Sequence, residues 1–452
     1  MTVAEPRFGS LLPNIITKPP GRLSKDFIKR LREVESHNVT HIGSGWPIFW
    51  ERAYGSNVQD VDGNIYLALG SAFGVALIGH TNPRVVQALK VQEDQILHGM
   101  GDIHPPARKV ELLERLCGIV PWTDARAVLA TSGSEAIEVA LKTARLATGK
   151  SGVIAFHGAY HGLTMGALAV TDRTHFRSHF EDQLYKGVTF IPFPESRGAP
   201  GVSVDKVLGL LREALEKGAP NGKQIGTIIV EPVQGRAGVN IPPDGFMAAL
   251  SDVAKEGGTI VIADEIFTGL GRCGSMLASN RLGLRPDIVC LGKVLGGGLP
   301  LSACLSSESV MCAWPENDGE AIHTSTFLGH PLACSAALAV LDIIEDCSIP
   351  ERAEAVGLQL LKGLRKSLRD TDKVSDVRGC GLMIGVELVT TDGLPLKGGA
   401  VRVAEAALMQ GLILLPAGEH GHVVELTPSA FLNEAQVTHS VDVLSYLIKK
   451  VH

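Results

Sequence analysis

The chain has 452 residues, 45% hydrophobic and 20% charged, the balance of a globular protein with material for one large core and a smaller one. Its formal net charge of -6 gives no electrostatic case for nucleic acid or an anionic membrane surface as partner. No window approaches the roughly 18 uninterrupted apolar residues of a membrane helix. The opening stretch MTVAEPRFGSLLPN lacks a basic start followed by an apolar run, so no secretory leader is expected.

The first fifty residues, rich in Pro and Gly, are expected to form an irregular arm, with the mixed charges of 25–32 on a solvated helix face. From Trp50, two extended pieces flank Asp62-Gly63-Asn64, a hairpin signal. SEAIEVALKTARLAT (134–148) has apolar residues at 136, 137, 140, 141 and 144, which is helical spacing. GVIAF (152–156), GTIIVEP (226–232), GTIVIADE (258–265) and DIVCLGK (287–293) are near-continuous apolar runs of strand length. Strands buried on both faces of a helix-covered parallel sheet read this way. From about residue 331 a long helical stretch runs to Arg369, followed by the strands GLMIGVEL and VVELTP and a last helix. The expectation is an α/β protein: an N-terminal segment (1–60) contributing to a small domain, a large α/β domain (61–330) and a C-terminal α+β domain (331–452). Eight cysteines form no C-x-x-C pair and mostly sit in apolar runs, as the reduced thiols of a cytoplasmic enzyme would.

In open α/β sheets ligands sit beyond the carboxyl ends of the strands. Three of the apolar runs deliver a polar group there: Glu231, Asp264 and Lys293. An amine and a carboxylate brought together suggest pyridoxal phosphate, whose aldehyde takes a lysine as a Schiff base and whose ring nitrogen needs a carboxylate. TSGSEA (131–136) places Ser132, Gly133 and Ser134 at a helix start, where free N–H groups and the helix dipole bind a phosphate. Tyr160, in HGAYHG, offers an aromatic face for the ring. Each residue also has a plainer reading: a solvated strand end for Lys293 or Glu231, a cap or ion-pair partner for Asp264, a core aromatic for Tyr160.

Seven motifs in order, SGSEA, GAYHG, EPVQG, ADEIFTGLGR, GKVLGGGLPLS, STFLGHPLAC and RGCGLMIGVEL, resemble those of the class III aminotransferases, which are fold-type I pyridoxal phosphate enzymes. The resemblance runs from about Trp50 to the end. It implies a mostly parallel central sheet covered by helices, with a smaller α+β domain, and a homodimer with shared active sites. It gives Lys293 the Schiff base and the proton transfers, Asp264 the pyridinium nitrogen, and Gly133 and Ser134 the phosphate. Tyr160 would stack on the ring with His161 beside it, and Glu231 would orient the site. Thr326 would reach the phosphate of the neighbouring subunit, and Phe73 would face substrate.

The sequence also departs from the family. Members using 4-aminobutyrate or ornithine with 2-oxoglutarate commonly carry an arginine where Leu163 stands, and a second arginine where Glu425 stands. The glutamate that usually partners the latter is Arg236 here. Either the pair keeps a reversed salt bridge, or Arg236 itself takes a carboxylate while Glu425 meets an amine or hydroxyl. Phe267 replaces a frequent glutamine beside the ring and makes the pocket more apolar. The expected reaction is transamination of an amine or amino acid other than a dicarboxylate. An amino acid or lactam racemase is the alternative, and a phospho-lyase would need extra phosphate-binding groups that the sequence does not show. Two further motifs point elsewhere. ATGKS (147–151) contains the Gly-Lys-Ser of a nucleotide-binding P-loop but has Ala144 where that loop needs glycine. His157 and His161 have metal-like spacing, but glycines flank them and no acidic or cysteine ligand accompanies them.

Overall fold

The computed structural model describes residues 8–43, 45–194 and 202–452, so the first seven residues of the expected arm lie outside it. The chain divides into two units, Met1–Asn82 with Arg352–His452, and Pro83–Glu351. The boundaries therefore fall at 82/83 and 351/352 rather than at 60/61 and 330/331. Ile65–Ala68 pairs in a small sheet with Asn57–Asp60 and Leu412–Ile413, which keeps it in the first unit. Helix Pro331–Asp346 belongs to the second unit, where Arg115 reaches its Asp342 at 2.8 Å and Arg84 reaches Asp346 at 2.7 Å.

The second unit holds a seven-stranded sheet in the order Ala125–Ala130, Ser302–Ser307, Ile288–Leu291, Ile260–Asp264, Ile225–Val230, Gly152–Phe156, Val188–Ile191. Ser302–Ser307 runs antiparallel to both neighbours, and the pairings on the far side of Ile288–Leu291 are all parallel. The apolar runs are buried along their whole length in 152–156, 225–230 and 288–291. Helix Gly133–Thr148 packs Ile137, Val139, Ala140 and Ala144 into the same core as Val153, Ile229, Ile262 and Ile288. Each fully buried Ile or Val contributes about 1.5–3 kcal/mol relative to exposure, so this face locks the helix onto the sheet. The Gly149-Lys150-Ser151 stretch ends that helix, with Gly149 at φ +69°, and leads into strand 152–156. A P-loop has the opposite order, strand before loop before helix.

The first unit carries two four-stranded sheets, one built on Trp50–Tyr54 and Asn57–Asp60, the other on Val374–Cys380, Met383–Leu388 and Val423–Leu426. The arm is not wholly irregular, because Arg22–Val34 is helical. Its start is capped from a distance: Asp62 accepts from the N–H groups of Leu23 (2.8 Å) and Ser24 (3.0 Å). That satisfies first-turn donors no local side chain serves. Among the described residues no helix is long and apolar enough to cross a membrane.

Candidate active site

Three parallel strands end side by side, and their next residues meet. Asp264 closes its strand, Glu231 follows Val230, and Lys293 stands two residues beyond Leu291. All three line one cavity of about 210 Å³, with Gly133, Ser134, Tyr160, His161, Arg236, Ile266 and Phe267.

Asp264 is held on both oxygens. His161 Nδ1–H donates to Oδ2 at 2.7 Å, and the Ile266 N–H donates to Oδ1 at 3.1 Å. His161 is itself buried, and its own N–H donates to Thr171 Oγ1 at 2.9 Å. Its Nε2 is buried with no hydrogen-bond partner among the described residues. A buried carboxylate with two donors at fixed angles is oriented before anything binds. Lys293 has φ +42°, a left-handed conformation that costs a non-glycine residue about 1–2 kcal/mol. Such strain collects at functional sites. Its Nζ stands 3.8 Å from the centroid of the Phe267 ring, a cation–π contact that holds the amine in an apolar setting.

Glu231 joins two loops. Its oxygens accept from the N–H groups of Tyr160 and Gly235, each at 3.0 Å. Burial, with the nearby Asp264 charge adding to it, pushes its carboxyl above the ordinary range. Tyr160 packs edge-on to Phe176 at 5.7 Å. Burial raises its phenol, and the charges of Arg236 and Arg173 oppose that rise.

The anion-binding end is the start of helix Gly133–Thr148. Ser132 is its N-cap and spends its hydroxyl on the Glu135 N–H at 3.2 Å, so Ser132 caps the helix while Gly133 and Ser134 line the cavity. Ser134 Oγ in turn accepts from the Leu163 N–H at 3.2 Å. Gly162, at φ +127°, fits here because a Cβ would stand 2.1 Å from that hydroxyl.

Leu163 is exposed just past the cavity wall, and Thr326 is exposed on the loop before helix Pro331–Asp346. Phe73 and Glu425 belong to the first unit. Phe73 is exposed and ends a run of three positive-φ residues, 71–73, and Glu425 is buried in its sheet opposite Gly385 and Leu415. His157 and His161 part company: His157 Nδ1 pairs with Asp172 Oδ2 at 2.9 Å, while His161 turns to Asp264. Sequence reasoning missed Ile266, which clamps Asp264 and walls the cavity, and Glu138. The Glu138 carboxylate accepts from Thr164 Oγ1 (2.7 Å) and the Gly166 N–H (2.8 Å), fixing the segment after Leu163.

The family model described as Aminotransferase class-III matches residues 39–448. The chain belongs to the class III aminotransferases.

Its relatives include the acetylornithine aminotransferase of Methanothermobacter thermautotrophicus, 33% identical over 92% of this chain and 97% of that protein. The alanine/serine racemase of Pyrococcus horikoshii is 30% identical over 97% and 93%. Among solved structures, a PLP-bound amine transaminase from an uncultivated Pseudomonas species superposes with a TM-score of 0.84 at 30% identity, covering 93% of this chain and 99% of that one. The fold is that of the fold-type I enzymes. This aminotransferase uses pyridoxal 5′-phosphate, the cofactor of its family.

Proposed function

We propose that this aminotransferase takes the amino group from an amine or an amino acid with a largely apolar body, other than a dicarboxylate, and that Lys293 and Asp264 carry the chemistry. One observation supports this most: an amine, a doubly held carboxylate and the N-terminus of a long helix line a single cavity. They match the aldehyde, ring nitrogen and phosphate of the cofactor, which supplies, when bound, an electron sink for the bond next to the substrate nitrogen. The unpartnered Nε2 of His161 in the cavity wall also fits a polar occupant.

The chain's own groups do the remaining work. Gly133 and Ser134 would receive the phosphate at the helix dipole. Asp264, aimed by His161 and the Ile266 N–H, would hold a proton on the ring nitrogen. Tyr160 would cover a ring face, and Glu231 holds Tyr160 in register with the 235–236 loop. Lys293, with its amine free, would take the proton from the substrate Cα and return it as general acid. Phe267 keeps water from that amine and leaves the pocket apolar.

The enzyme works as a homodimer in which Thr326 reaches the neighbouring subunit's phosphate. Supporting this, the Thr326 loop exposes Ile322 and Phe327, and the loop at 96–103 exposes Ile96, Leu97, Met100 and Ile103. The two loops are tied by Thr324 Oγ1 donating to Asp102 at 2.8 Å, so they present one apolar surface of the kind a second copy covers. The eight cysteines form no disulfide among the described residues, which fits a cytoplasmic, reducing setting.

The deciding experiment mixes holoenzyme with a panel of amines and amino acids in heavy water without any oxo acid, following absorbance. Conversion of the cofactor to its pyridoxamine form, with carbonyl product, is the expected result and names the donor. The similarity to an alanine/serine racemase gives a second reading a footing. Unchanged cofactor absorbance with deuterium entering Cα would select that reading. Holoenzyme lacking the visible cofactor band would refute the assignment of Lys293.

A further inference from the structure

A short chain of hydrogen bonds joins the two ends of the cavity. Ser134 lines the anion end, where its Oγ accepts from the Leu163 N–H at 3.2 Å. The same peptide unit carries the Gly162 carbonyl, which accepts from Thr171 Oγ1 at 3.0 Å. Thr171 Oγ1 in turn accepts from the His161 N–H at 2.9 Å, and the His161 ring donates from Nδ1 to Asp264 at 2.7 Å. From the His161 N–H through Thr171 and the 162–163 peptide to Ser134, every donor faces the anion end. The last donor, the Ser134 O–H, has no acceptor among the described residues, so its proton is left for the phosphate.

One helix frames this chain. Glu138, a turn beyond Ser134 on helix Gly133–Thr148, accepts from the N–H groups of Gly166 (2.8 Å) and Ala167 (3.2 Å). That holds the short helix Met165–Val170, whose end delivers Thr171. Thr171 is fully buried and is not among the residues that line the cavity. Its hydroxyl proton has two carbonyls to choose from, Gly162 and Ala167, each at 3.0 Å. Hydrogen bonds in a chain polarise one another. An anion that takes the Ser134 proton makes Ser134 Oγ a better acceptor for Leu163. The peptide so polarised makes the Gly162 carbonyl the better acceptor for Thr171, and the Thr171 oxygen then holds the His161 N–H more strongly.

We infer that Ser134 and Thr171 are positioning residues through which an occupied anion end tightens the His161 main chain, and with it the aim of Asp264. The inference rests on the placing of the cofactor's phosphate at Gly133 and Ser134. Its consequence is that the two halves of the cofactor bind cooperatively, because phosphate orders the 161–163 segment before the ring arrives. Thr171 touches neither half, so its hydroxyl reports on the chain alone.

The test uses the full-length apoenzyme and two probes, inorganic phosphate and pyridoxal, which is the cofactor lacking its phosphate. Pyridoxal binding is followed by absorbance with and without saturating phosphate. In wild type, phosphate should tighten pyridoxal binding by about fivefold or more, as two coupled sites do. Thr171→Val keeps the shape but loses the hydroxyl, and the gain should shrink below about twofold while phosphate still binds by calorimetry. Thr171→Ser should restore the gain. A merely structural Thr171 would change pyridoxal affinity equally with and without phosphate and leave the ratio intact. Hydrogen exchange over 160–171, read by mass spectrometry, should slow when phosphate binds wild type and not when it binds Ser134→Ala. That measurement decides the matter even where Thr171→Val does not fold. An undiminished gain in Thr171→Val, no gain in wild type, or equal slowing in Ser134→Ala would overturn the inference. Phosphate that fails to compete with pyridoxal phosphate would refute the placing of the anion itself, a failure distinct from loss of coupling.

Discussion

Gly162 separates what a left-handed glycine costs to replace from what a tightly built cavity wall costs. At φ +127°, an added Cβ would stand 2.1 Å from Ser134 Oγ, 2.8 Å from its Cβ and 3.0 Å from its Cα. Rotating the serine clears only the first contact, so main chain must move. Gly149, at the other end of the same helix, is the control: its φ is +69° and nothing lies within 4 Å of the added atom. Gly149→Ala should therefore cost only the left-handed penalty, about 1–2 kcal/mol. Gly162→Ala should cost that plus overpacking of about 1–3 kcal/mol, some 2–5 kcal/mol in all.

The relief of that clash has a functional readout. Gly162 follows Tyr160 and His161, so the shift that makes room carries both away from their places in the cavity wall. Urea unfolding of the apoenzyme gives the stability difference, and fluorescence titration with pyridoxal phosphate gives the cofactor affinity. Gly162→Ala should weaken cofactor binding at least tenfold, whereas Gly149→Ala should leave it near wild type. Ser134→Ala should destabilise wild type by about 0.5–1.5 kcal/mol, since Ser134 Oγ accepts the Leu163 N–H. In the Gly162→Ala background it should cost less, because it removes the shortest contact. Unfolding and cofactor binding of Gly162→Ala that match those of Gly149→Ala would refute this account of the wall.

Asp264→Asn keeps the shape but loses the charge and one of the two acceptors, so the amide oxygen can serve only one of the His161 and Ile266 donors. Turnover should fall about 10²–10³-fold with cofactor still bound by absorbance, and a loss under tenfold would remove Asp264 from the chemistry. The half-reaction with 2-oxoglutarate should be weak beside that with pyruvate, and a fast one would contradict the reading of a substrate other than a dicarboxylate. The His157–Asp172 pair sets a pH window. Its hydrogen bond to Asp172 raises His157. Burial pushes Asp172 up, but the bonds from His157 and the Gly158 N–H outweigh it and leave the carboxyl lowered. The raised imidazole contributes fully below its ordinary pKa near ~6.5, and loses its contribution as pH rises through the folded value. The lowered carboxyl contributes above about 4 and loses its contribution as acid passes the folded value. His157 is more than half exposed, so solvent screening keeps the pair's charge contribution under about 1 kcal/mol. Melting temperatures of Asp172→Asn and wild type should differ most between pH 4 and 6.5, and a gap constant across pH would discount the charge.

The positions of Glu231, Asp264 and Lys293 were legible because a parallel strand writes its burial and its end in one run of residues: apolar letters, then the first polar one. Strands that break this rule were not legible. SACLSS (302–307) is rich in serine yet almost wholly buried, because its hydroxyls turn back to main chain. Ser302 Oγ donates to the Ser132 carbonyl at 2.6 Å, and Ser306 Oγ donates to the Asp287 carbonyl. The start of helix Arg22–Val34 escaped for a related reason, since its cap, Asp62, lies some forty residues downstream.

The same limit governs the site. Lys293 is visible as a residue, but its φ of +42° is imposed by packing. His161 and Asp264 are 103 residues apart, and no spacing rule pairs them. Glu231 had a plain alternative as a solvated strand end, and its two N–H partners sit on loops whose approach depends on the fold. Sequence therefore announces which chemical groups stand at strand ends, while orientation is a tertiary product. The loop that carries Arg236 shows the same division: its main chain is held by Glu231, Arg173 and Asn240, partners that no spacing rule supplies.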